Sequence, residues 1–367
     1  MGNLLVLGDS EIHDILINLS RTEIHIFRDA ILGCLKDFSV GVERKYQPQP
    51  GVVNRPEGQR CLFRPFTSSE SVGTKIVVQP AANSKAAGAL HGMIAMCDAD
   101  GLPSGILNAE EVTGYRTSLS ALIPWLWRRH TDNIVVFGAG KQALWHLRLA
   151  LALRGEEIKS IVVINRTVSR AEALLVKVKE ENQTRWKSDA VMQCIDPLRS
   201  DYQHLLRDHL STADAVFCTA GAKAPLFPAN YITAEGRNRQ PYISAVGSWQ
   251  PDMIELDPEL LRHLAAQRSH STASKAGSLL VDDRETVMPH TGELIQSKLG
   301  AEHIVELGEM ADLQHDKDHG DSALQNWQEE GLLVYKSIGV GMTDLAASNA
   351  ILAFARKRQL GTTISQF

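Results

Sequence analysis

A strand, a tight glycine turn, a helix and a second strand follow one another from residue 133, and this order constrains the fold more than any other feature. NIVVFGAG (133–140) has the pattern of a buried strand and turn, KQALWHLRLALALRG (141–155) of a helix, and SIVVINRT (160–167) of the next strand. Strands that alternate with helices in this way form parallel, doubly wound sheets. Further strands of the same sheet are expected at AVFCTA (215–220), PYISAVG (241–247) and SLLVDD (278–283).

The turn after the first of these strands has the spacing of a dinucleotide-binding loop. GAGKQA (138–143) is a GxGxxA sequence between a strand and a helix. The first glycine allows the sharp turn, the second lets the backbone approach a pyrophosphate, and a small third residue allows close helix–strand packing. A glycine turn alone can be purely structural, so the flanking strand and helix are what favour a cofactor site. We predict cofactor contacts from Gly138, Ala139, Gly140, Gln142 and Ala143.

The end of the second strand indicates which dinucleotide is bound. Asn165, Arg166 and Thr167 stand about 20 positions after the turn, where such folds carry the residue that reads the ribose. An acidic residue there binds the 2′-hydroxyl of NAD and repels a 2′-phosphate, whereas an arginine can pair with that phosphate. An arginine after a strand can also be merely solvated. In this register with the glycine turn, the three residues favour NADP(H) over NAD(H).

The residues before the glycine turn have a different, α+β character. Residues 4–7 are typical of a strand, residues 22–38 of an amphipathic helix, and three short apolar runs within 61–98 of strands. Near the other end, LLVYKSIGVG (332–341) and the helical pattern of residues 343–358 could return to this first part, which spacing alone does not decide.

Composition and charge exclude several classes of function. A formal net charge of -5 leaves no excess of cations for a nucleic-acid backbone. The five cysteines are scattered without CxxC spacing, so we expect free thiols in a reducing compartment, and hence a cytoplasmic protein. The apolar run at the N-terminus is too short for a signal peptide or a membrane span. Hydrolase and kinase motifs are absent from the sequence.

One histidine- and aspartate-rich segment, ADLQHDKDHGDS (311–322), could suggest a metal site. It is polar throughout, however, and such a segment is more often a solvated loop. We therefore expect no metal. Its candidate ligands are His315, Asp316, Asp318, His319 and Asp321.

Taken together, ordered blocks of sequence resemble the ornithine cyclodeaminase/mu-crystallin family over nearly the whole chain. The resemblance implies a homodimer whose discontinuous substrate and dimerisation domain spans 1–125 and 326–367, with a Rossmann domain inserted at 126–325. The matching blocks are GTKIV (73–77), DADG (98–101), TGYRT (113–117), GAGKQA (138–143), VDDR (281–284), GEL (292–294), ELG (306–308), KSIG (336–339) and DLA (344–346).

The family's substrates carry an α-carboxylate, and the resemblance implies which residues hold it. The basic residues that bind this group correspond to Lys75, Arg116 and Arg44. A carboxylate removed from water needs cationic, hydrogen-bonded partners, and an arginine binds it with two parallel bonds. Each could otherwise be an ordinary surface charge. The implied cofactor site also includes Arg116, Thr117, Thr219, Ala220 and Val246.

One departure from the family pattern bears on the reaction. Ornithine cyclodeaminases carry a catalytic aspartate where this chain has Trp249, and an indole cannot relay protons. The chain is in this respect similar to the ketimine reductase branch, which also lacks that aspartate. Asp252 or Glu255 could donate the proton instead, or be a surface or capping acid, and Lys75 is a further candidate. Trp249 could pack over the substrate or be a core residue.

Three functions are therefore compatible with the sequence. The first is an NAD(P)H-dependent reductase of a small cyclic ketimine carboxylate, or a related amino-acid dehydrogenase, acting by hydride transfer to the imine carbon. The second is an ornithine cyclodeaminase-type lyase, which converts ornithine to proline and ammonia. The third is a non-catalytic protein that binds NADPH.

Overall fold

The computed structural model describes residues 3–85, 91–268, 277–315 and 322–367. The chain forms two compact units, which are described separately. Unit 1 comprises Met1–Arg116 and Val340–Phe367, and unit 2 comprises Thr117–Gly339. The sequence predicts boundaries after residues 125 and 325, whereas unit 2 begins at Thr117 and ends at Gly339.

The strands and helices of the described residues are numbered in chain order. The strands are β1 (Leu4–Leu7), β2 (Gly51–Asn54), β3 (Arg60–Thr67), β4 (Ser71–Gln79), β5 (His91–Asp98), β6 (Pro103–Asn108), β7 (Asn133–Phe137), β8 (Ser160–Ile164), β9 (Val191–Ile195), β10 (Ala215–Cys218), β11 (Tyr242–Ala245), β12 (Leu279–Val281), β13 (Ile304–Glu306), β14 (Leu333–Lys336) and β15 (Thr362–Ile364). The α-helices are α1 (Asp9–Ile17), α2 (Arg21–Ser39), α3 (Ala109–Trp125), α4 (Lys141–Arg154), α5 (Val168–Thr184), α6 (Tyr202–Thr212), α7 (Asn230–Thr233), α8 (Pro258–Arg268), α9 (Arg284–His290), α10 (Gly292–Ser297), α11 (Leu307–His315), α12 (Ser322–Glu330) and α13 (Gly341–Arg358).

Unit 1 contains a mixed sheet with strand order β15-β1-β6-β5-β4-β3-β2. Strands β2 to β6 pair antiparallel. Successive residues of each pleated strand point to opposite faces of the sheet. On one face Phe66, Ile94 and Leu107 are fully buried. Helices α2 and α13 contact each other, and α13 contacts β3 and β4. Lys75 lies on this buried face, because it stands opposite Ile94 in the register of β4 and β5.

Helix α2 forms where the amphipathic pattern predicts it. Its N-terminus is fixed by a capping box, in which the Ser20 hydroxyl accepts from the Glu23 backbone N–H and the Glu23 carboxylate accepts from the Ser20 backbone N–H. Ile24, Phe27 and Ile31 then bury one face of the helix. The predicted strand at 4–7 and the predicted strands within 61–98 are also confirmed.

Unit 2 contains a wholly parallel sheet with strand order β13-β12-β14-β11-β10-β7-β8-β9. The predicted Rossmann-type fold is therefore confirmed. The chain runs outward from β7 through β8 to β9, and then returns to place β10 on the other side of β7. Ligands of such sheets bind beyond the carboxyl ends of the strands at this reversal of direction, here between β7 and β10.

Two local expectations need correction. The LLVYK run does not return to unit 1, because β14 pairs in parallel with β11 and β12 inside the second sheet. Its continuous apolar sequence reflects a strand buried on both faces. The polar segment expected to be a loop begins as a helix, since α11 continues to His315. Most of its candidate metal ligands, Asp316, Asp318, His319 and Asp321, lie outside the described residues.

Within the described residues, no group of three or more His, Cys, Asp or Glu side chains is arranged to hold a metal ion. In the same part of the chain, every helix is too short or too polar to cross a membrane.

Candidate functional site

The glycine turn of unit 2 has the conformation that a dinucleotide requires. Gly138 has a φ of +112°, and a Cβ there would meet the Thr219 hydroxyl at 2.6 Å, so only glycine fits. Gly140 caps the N-terminus of α4, and nothing lies within 4 Å of the position its Cβ would take. A pyrophosphate can therefore approach the Gly140 backbone closely, at the positive end of the helix. The turn fits the predicted group.

The first turn of α4 is fixed by buried contacts. Ala143 is fully buried, as close helix–strand packing requires, whereas Ala139 is half-buried. The Gln142 carbonyl oxygen lies 2.8 Å from Nδ1 of His146, which also lies 2.9 Å from the Ser118 hydroxyl. Burial lowers the pKa of His146 to about 4, so the imidazole is neutral at physiological pH. Gln142 is thus held by its backbone at the start of the helix.

The residues predicted to read the ribose follow β8 at the same edge of the sheet. Asn165 is half-buried, and its side-chain amide donates to the Thr167 carbonyl oxygen at 2.8 Å. Arg166 and Thr167 are exposed, and Thr167 occupies the N-cap position of α5. Arg166 is therefore accessible to a ligand group in solution.

The loops after β10 and β11 carry the remaining predicted cofactor contacts of unit 2. The Thr219 hydroxyl and backbone N–H both donate to the Phe137 carbonyl oxygen, at 2.8 and 2.9 Å. The Val246 backbone N–H donates to the Cys218 carbonyl oxygen at 3.0 Å. The Ala220 backbone N–H donates to the Glu255 carboxylate at 2.9 Å. The loop after β10 thus stands beside the glycine turn, with Thr219 next to Gly138.

Unit 1 brings together two of the residues predicted to bind a substrate carboxylate. Lys75 and Arg116 are 3% and 4% exposed, and both contact Asp344, which is fully buried. The Lys75 ammonium lies 2.6 Å from Oδ2 of Asp344. Arg116 donates from Nε to Oδ1 at 2.9 Å and from a terminal nitrogen to Oδ2 at 3.5 Å. The cations are therefore preorganised by an internal carboxylate.

The charges of this cluster set its titration. Burial lowers the pKa of Lys75 to about 7, and repulsion by Arg116 and Arg64 lowers it as well. The attraction of Asp344 opposes this shift. Although burial opposes it, the attraction of Arg116, Lys75 and Arg64 lowers the pKa of Asp344 to about 2. Arg64 stands directly opposite Lys75 in the register of β3 and β4, on the same face of the sheet. Three basic groups therefore act on one carboxylate.

The other predicted site residues lie in different surroundings. Arg44 is in a 3-10 turn (Glu43–Tyr46), with its guanidinium 4.0 Å from the centre of the Phe38 ring. Asp252 is exposed and forms an ion pair of 2.8 Å with Lys223, which lowers its pKa. Glu255 is fully buried and accepts hydrogen bonds from backbone N–H groups. Trp249 is half-buried after β11.

Thr117 follows Arg116 directly in α3 and is 8% exposed, as the first residue of unit 2. The Arg116 guanidinium, which was predicted to contact both substrate and cofactor, is bonded to Asp344. Both of its predicted roles remain predictions.

Four residues that the sequence analysis did not assign to a site occupy central positions. Asp344 and Arg64 belong to the cationic cluster, and Lys336 and Glu293 lie with Glu255 in a second buried cluster. Asp344, Lys336 and Glu293 fall within blocks of the family resemblance, which was the available signal. Arg64 could have been found from the pairing of adjacent apolar strands, since it faces Lys75 across β3 and β4.

This chain is similar in sequence to several proteins named as oxidoreductases or cyclodeaminases. A family model described as shikimate/quinate 5-dehydrogenase matches residues 126–246, within unit 2. An uncharacterised cyclodeaminase of Dictyostelium discoideum is 28% identical, over 88% of this chain and 87% of that protein. A Δ1-pyrroline-2-carboxylate reductase of Bacillus cereus is 25% identical, over 90% and 92%. Mouse ketimine reductase mu-crystallin is 24% identical, over 67% and 63%.

The fold itself recurs in a solved structure. The Δ1-pyrroline-2-carboxylate reductase of Thermococcus litoralis, solved with NADH and L-proline, superimposes with a TM-score of 0.72. The match covers 98% of this chain and 100% of that one at 19% sequence identity. It confirms the fold over both units, each considered by itself.

Proposed function

We propose, from the premise that the chain belongs to the ornithine cyclodeaminase/mu-crystallin family, that it is a pyridine-nucleotide-dependent reductase of a small cyclic ketimine carboxylate. The observation that carries the proposal is the buried cluster of Lys75, Arg116 and Asp344. When Lys75 is protonated, these three side chains together carry a net positive charge, which is costly in a buried site. The carboxylate of a substrate would balance it.

The glycine turn supports the proposed binding of a pyridine nucleotide. Gly138 and Gly140 would receive the pyrophosphate, and the helix dipole of α4 would stabilise its charge. When bound, the reduced nicotinamide supplies the hydride that the imine carbon accepts.

The proton for the imine nitrogen would come from Lys75. With a pKa of about 7, its ammonium can release a proton near neutral pH and regain it from water. Asp344, with a pKa of about 2, stays ionised and holds the lysine in place. Asp252 is a weaker candidate because Lys223 lowers its pKa, and Glu255 is engaged with backbone N–H groups. Trp249, where ornithine cyclodeaminases carry an acid, favours a reductase over a cyclodeaminase.

The function is tested by following NADPH oxidation with pyrroline-2-carboxylate and piperideine-2-carboxylate as substrates. We expect turnover to fall as the pH rises through about 7, because the Lys75 ammonium is the proton donor. Formation of proline and ammonia from ornithine, without net change of the cofactor, would instead indicate a cyclodeaminase. Tight NADPH binding without turnover of any imine or amino acid would indicate a binding protein.

We further propose that the cofactor is NADP(H) and that Arg166 binds its 2′-phosphate. The Arg166→Asp variant should lower the preference for NADPH over NADH by at least about tenfold, because a charge-assisted hydrogen bond is replaced by repulsion. The ratio of kcat/KM for the two cofactors measures this. Lys177→Asp, the same reversal of charge at an exposed site of α5, is the matched control and should leave the ratio unchanged. An unaltered ratio in Arg166→Asp would remove Arg166 from the cofactor site.

We also propose that the chain forms a homodimer through the outer face of the unit 1 sheet, the face opposite Lys75. Val53, Phe63, Val72 and Met93 point to this face, according to the strand register, and are 39–44% exposed. An exposed apolar sheet face spread over four strands is typical of an interface rather than of a monomer surface. A second copy would cover the same face by two-fold symmetry.

The Phe63→Asp variant should raise the dimer dissociation constant at least about tenfold, since it places a charge in an apolar interface. Light scattering after size-exclusion chromatography measures the mass at decreasing concentration. Leu198→Asp, at a residue of unit 2 that is 89% exposed, is the control. A monomeric wild-type chain, or an unchanged dimer in Phe63→Asp, would contradict this interface.

A further inference from the structure

A second cluster of charged residues is completely buried in unit 2. Glu255, Lys336 and Glu293 each have no exposed surface. The Lys336 ammonium lies 3.8 Å from Oε2 of Glu255 and 3.4 Å from Oε1 of Glu293, and it donates to the Ala245 carbonyl oxygen at 3.2 Å. The three residues are far apart in the sequence: Glu255 follows β11, Glu293 lies in α10, and Lys336 is the last residue of β14.

The Glu255 carboxylate is bonded mainly to the backbone. One oxygen accepts from the Ala220 N–H at 2.9 Å, and the other from the N–H groups of Gly247 and Ser248 at 2.6 and 3.1 Å. One side chain therefore joins the loop after β10 to the loop after β11. A Cβ on Gly247 would meet a Glu255 oxygen and the Ala220 carbonyl oxygen, both at 2.5 Å, which shows how closely the two loops are drawn together.

The two carboxylates beside Lys336 differ in their hydrogen bonds. Two ionised carboxylates around one ammonium would leave one uncompensated negative charge in a fully buried site. Burial accordingly raises the pKa of Glu255 to about 7, against the attraction of Lys336, while Glu293 raises it further. Glu293 accepts from the Ser248 hydroxyl at 2.5 Å, and its other oxygen has no hydrogen-bond partner in the described residues. Of these two carboxylates, that of Glu255 is the one shown to accept hydrogen bonds from backbone N–H groups of the loops.

We propose that Glu255 is a positioning residue for the cofactor: its carboxylate, balanced by Lys336, holds the loops after β10 and β11 in the shape that receives the dinucleotide. This inference rests on the proposed function. The loop after β10 contacts the glycine turn through Thr219, and it lies where the sheet reverses direction, beyond the carboxyl ends of β7 and β10. Glu255 has no direct part in the reaction.

The Glu255→Gln variant tests this by replacing a single heavy atom, because one carboxylate oxygen becomes an amide NH₂ group. An amide NH₂ cannot accept from a backbone N–H, so at least one of the three bonds is lost, while Lys336 keeps Glu293 as a one-to-one partner. We expect the dissociation constant for NADPH, from fluorescence titration, and its KM to rise at least about tenfold. The value of kcat at saturating NADPH should change much less.

Glu293→Gln is the matched control, because it makes the same neutral substitution in the same buried cluster without touching a loop N–H group. Its NADPH affinity should stay within about threefold of wild type. Equal losses in both variants, or wild-type affinity in a folded Glu255→Gln, would overturn the positioning role. If wild type itself binds no dinucleotide, the proposed function fails instead.

Hydrogen exchange of the wild-type chain provides a measurement that needs no variant. The N–H groups of Ala220, Gly247 and Ser248 should exchange slowly without NADPH, because Glu255 already holds them. Exchange at the rate of open loops in the absence of cofactor would refute a preformed site, whether or not the chain turns over an imine.

Discussion

Replacing Asp344 by asparagine should lower the free energy of unfolding by about 3–5 kcal/mol, the usual loss when one partner of a buried ion pair is removed. The asparagine removes the carboxylate charge that Lys75 and Arg116 both contact, in a site where both side chains are almost completely buried. Denaturant titrations of the two proteins at neutral pH measure the difference. Asp252→Asn is the control, because its ion pair with Lys223 is exposed, and it should leave the unfolding midpoint unchanged.

The pH dependence of this difference identifies the ion pair as its cause. The folded pKa of Asp344, about 2, lies below its ordinary value of 3.8. The carboxylate therefore stabilises the fold fully above pH 3.8, and this contribution is lost as the pH falls through about 2. Wild type and Asp344→Asn should accordingly converge in acid. A gap below about 1 kcal/mol at neutral pH, or one that does not narrow in acid, would contradict the assigned role of Asp344.

The Rossmann-type sheet could be predicted from the sequence because its signals are local. β7, α4 and β8 follow one another as apolar strand, glycine turn, helix and strand, and each has its own periodicity. The elements that were missed lack such periodicity. Most residues of α3 are buried on all sides, so no polar face marks it as a helix, and β2 is exposed along its whole length, so no apolar alternation marks it as a strand.

The candidate site residues likewise differ in whether a local sequence pattern predicts them. The requirement for glycine at 138 was predicted from the turn alone, since the spacing is contained in six residues. Lys75 and Arg116 were predicted only through a family resemblance, and their partner Asp344 lies 228 positions after Arg116. The Glu255 cluster depends on the order in which parallel strands are placed, because β14 joins β11 only after intervening helices and loops. No local pattern specifies such a pairing.

Alanine substitutions at the two glycines of the turn should affect different properties, stability at Gly138 and cofactor binding at Gly140. Alanine at 138 would have to adopt a φ of +112° and place its Cβ against Thr219, so Gly138→Ala should cost about 1–3 kcal/mol of stability before any cofactor is added. Alanine at 140 meets nothing within 4 Å, and Gly140 has an ordinary φ of -96°, so Gly140→Ala should fold with wild-type stability.

The open space at Gly140 is, however, where we place the pyrophosphate, and a methyl group there would keep the phosphates away from the N-terminus of α4. Gly140→Ala should therefore raise the dissociation constant for NADPH by about 10–100-fold, equivalent to about 1.4–2.7 kcal/mol. Thermal unfolding and fluorescence titration of both variants measure the two effects separately. Wild-type NADPH affinity in Gly140→Ala would mean that the dinucleotide binds away from this turn, since the backbone there could not then be its phosphate site.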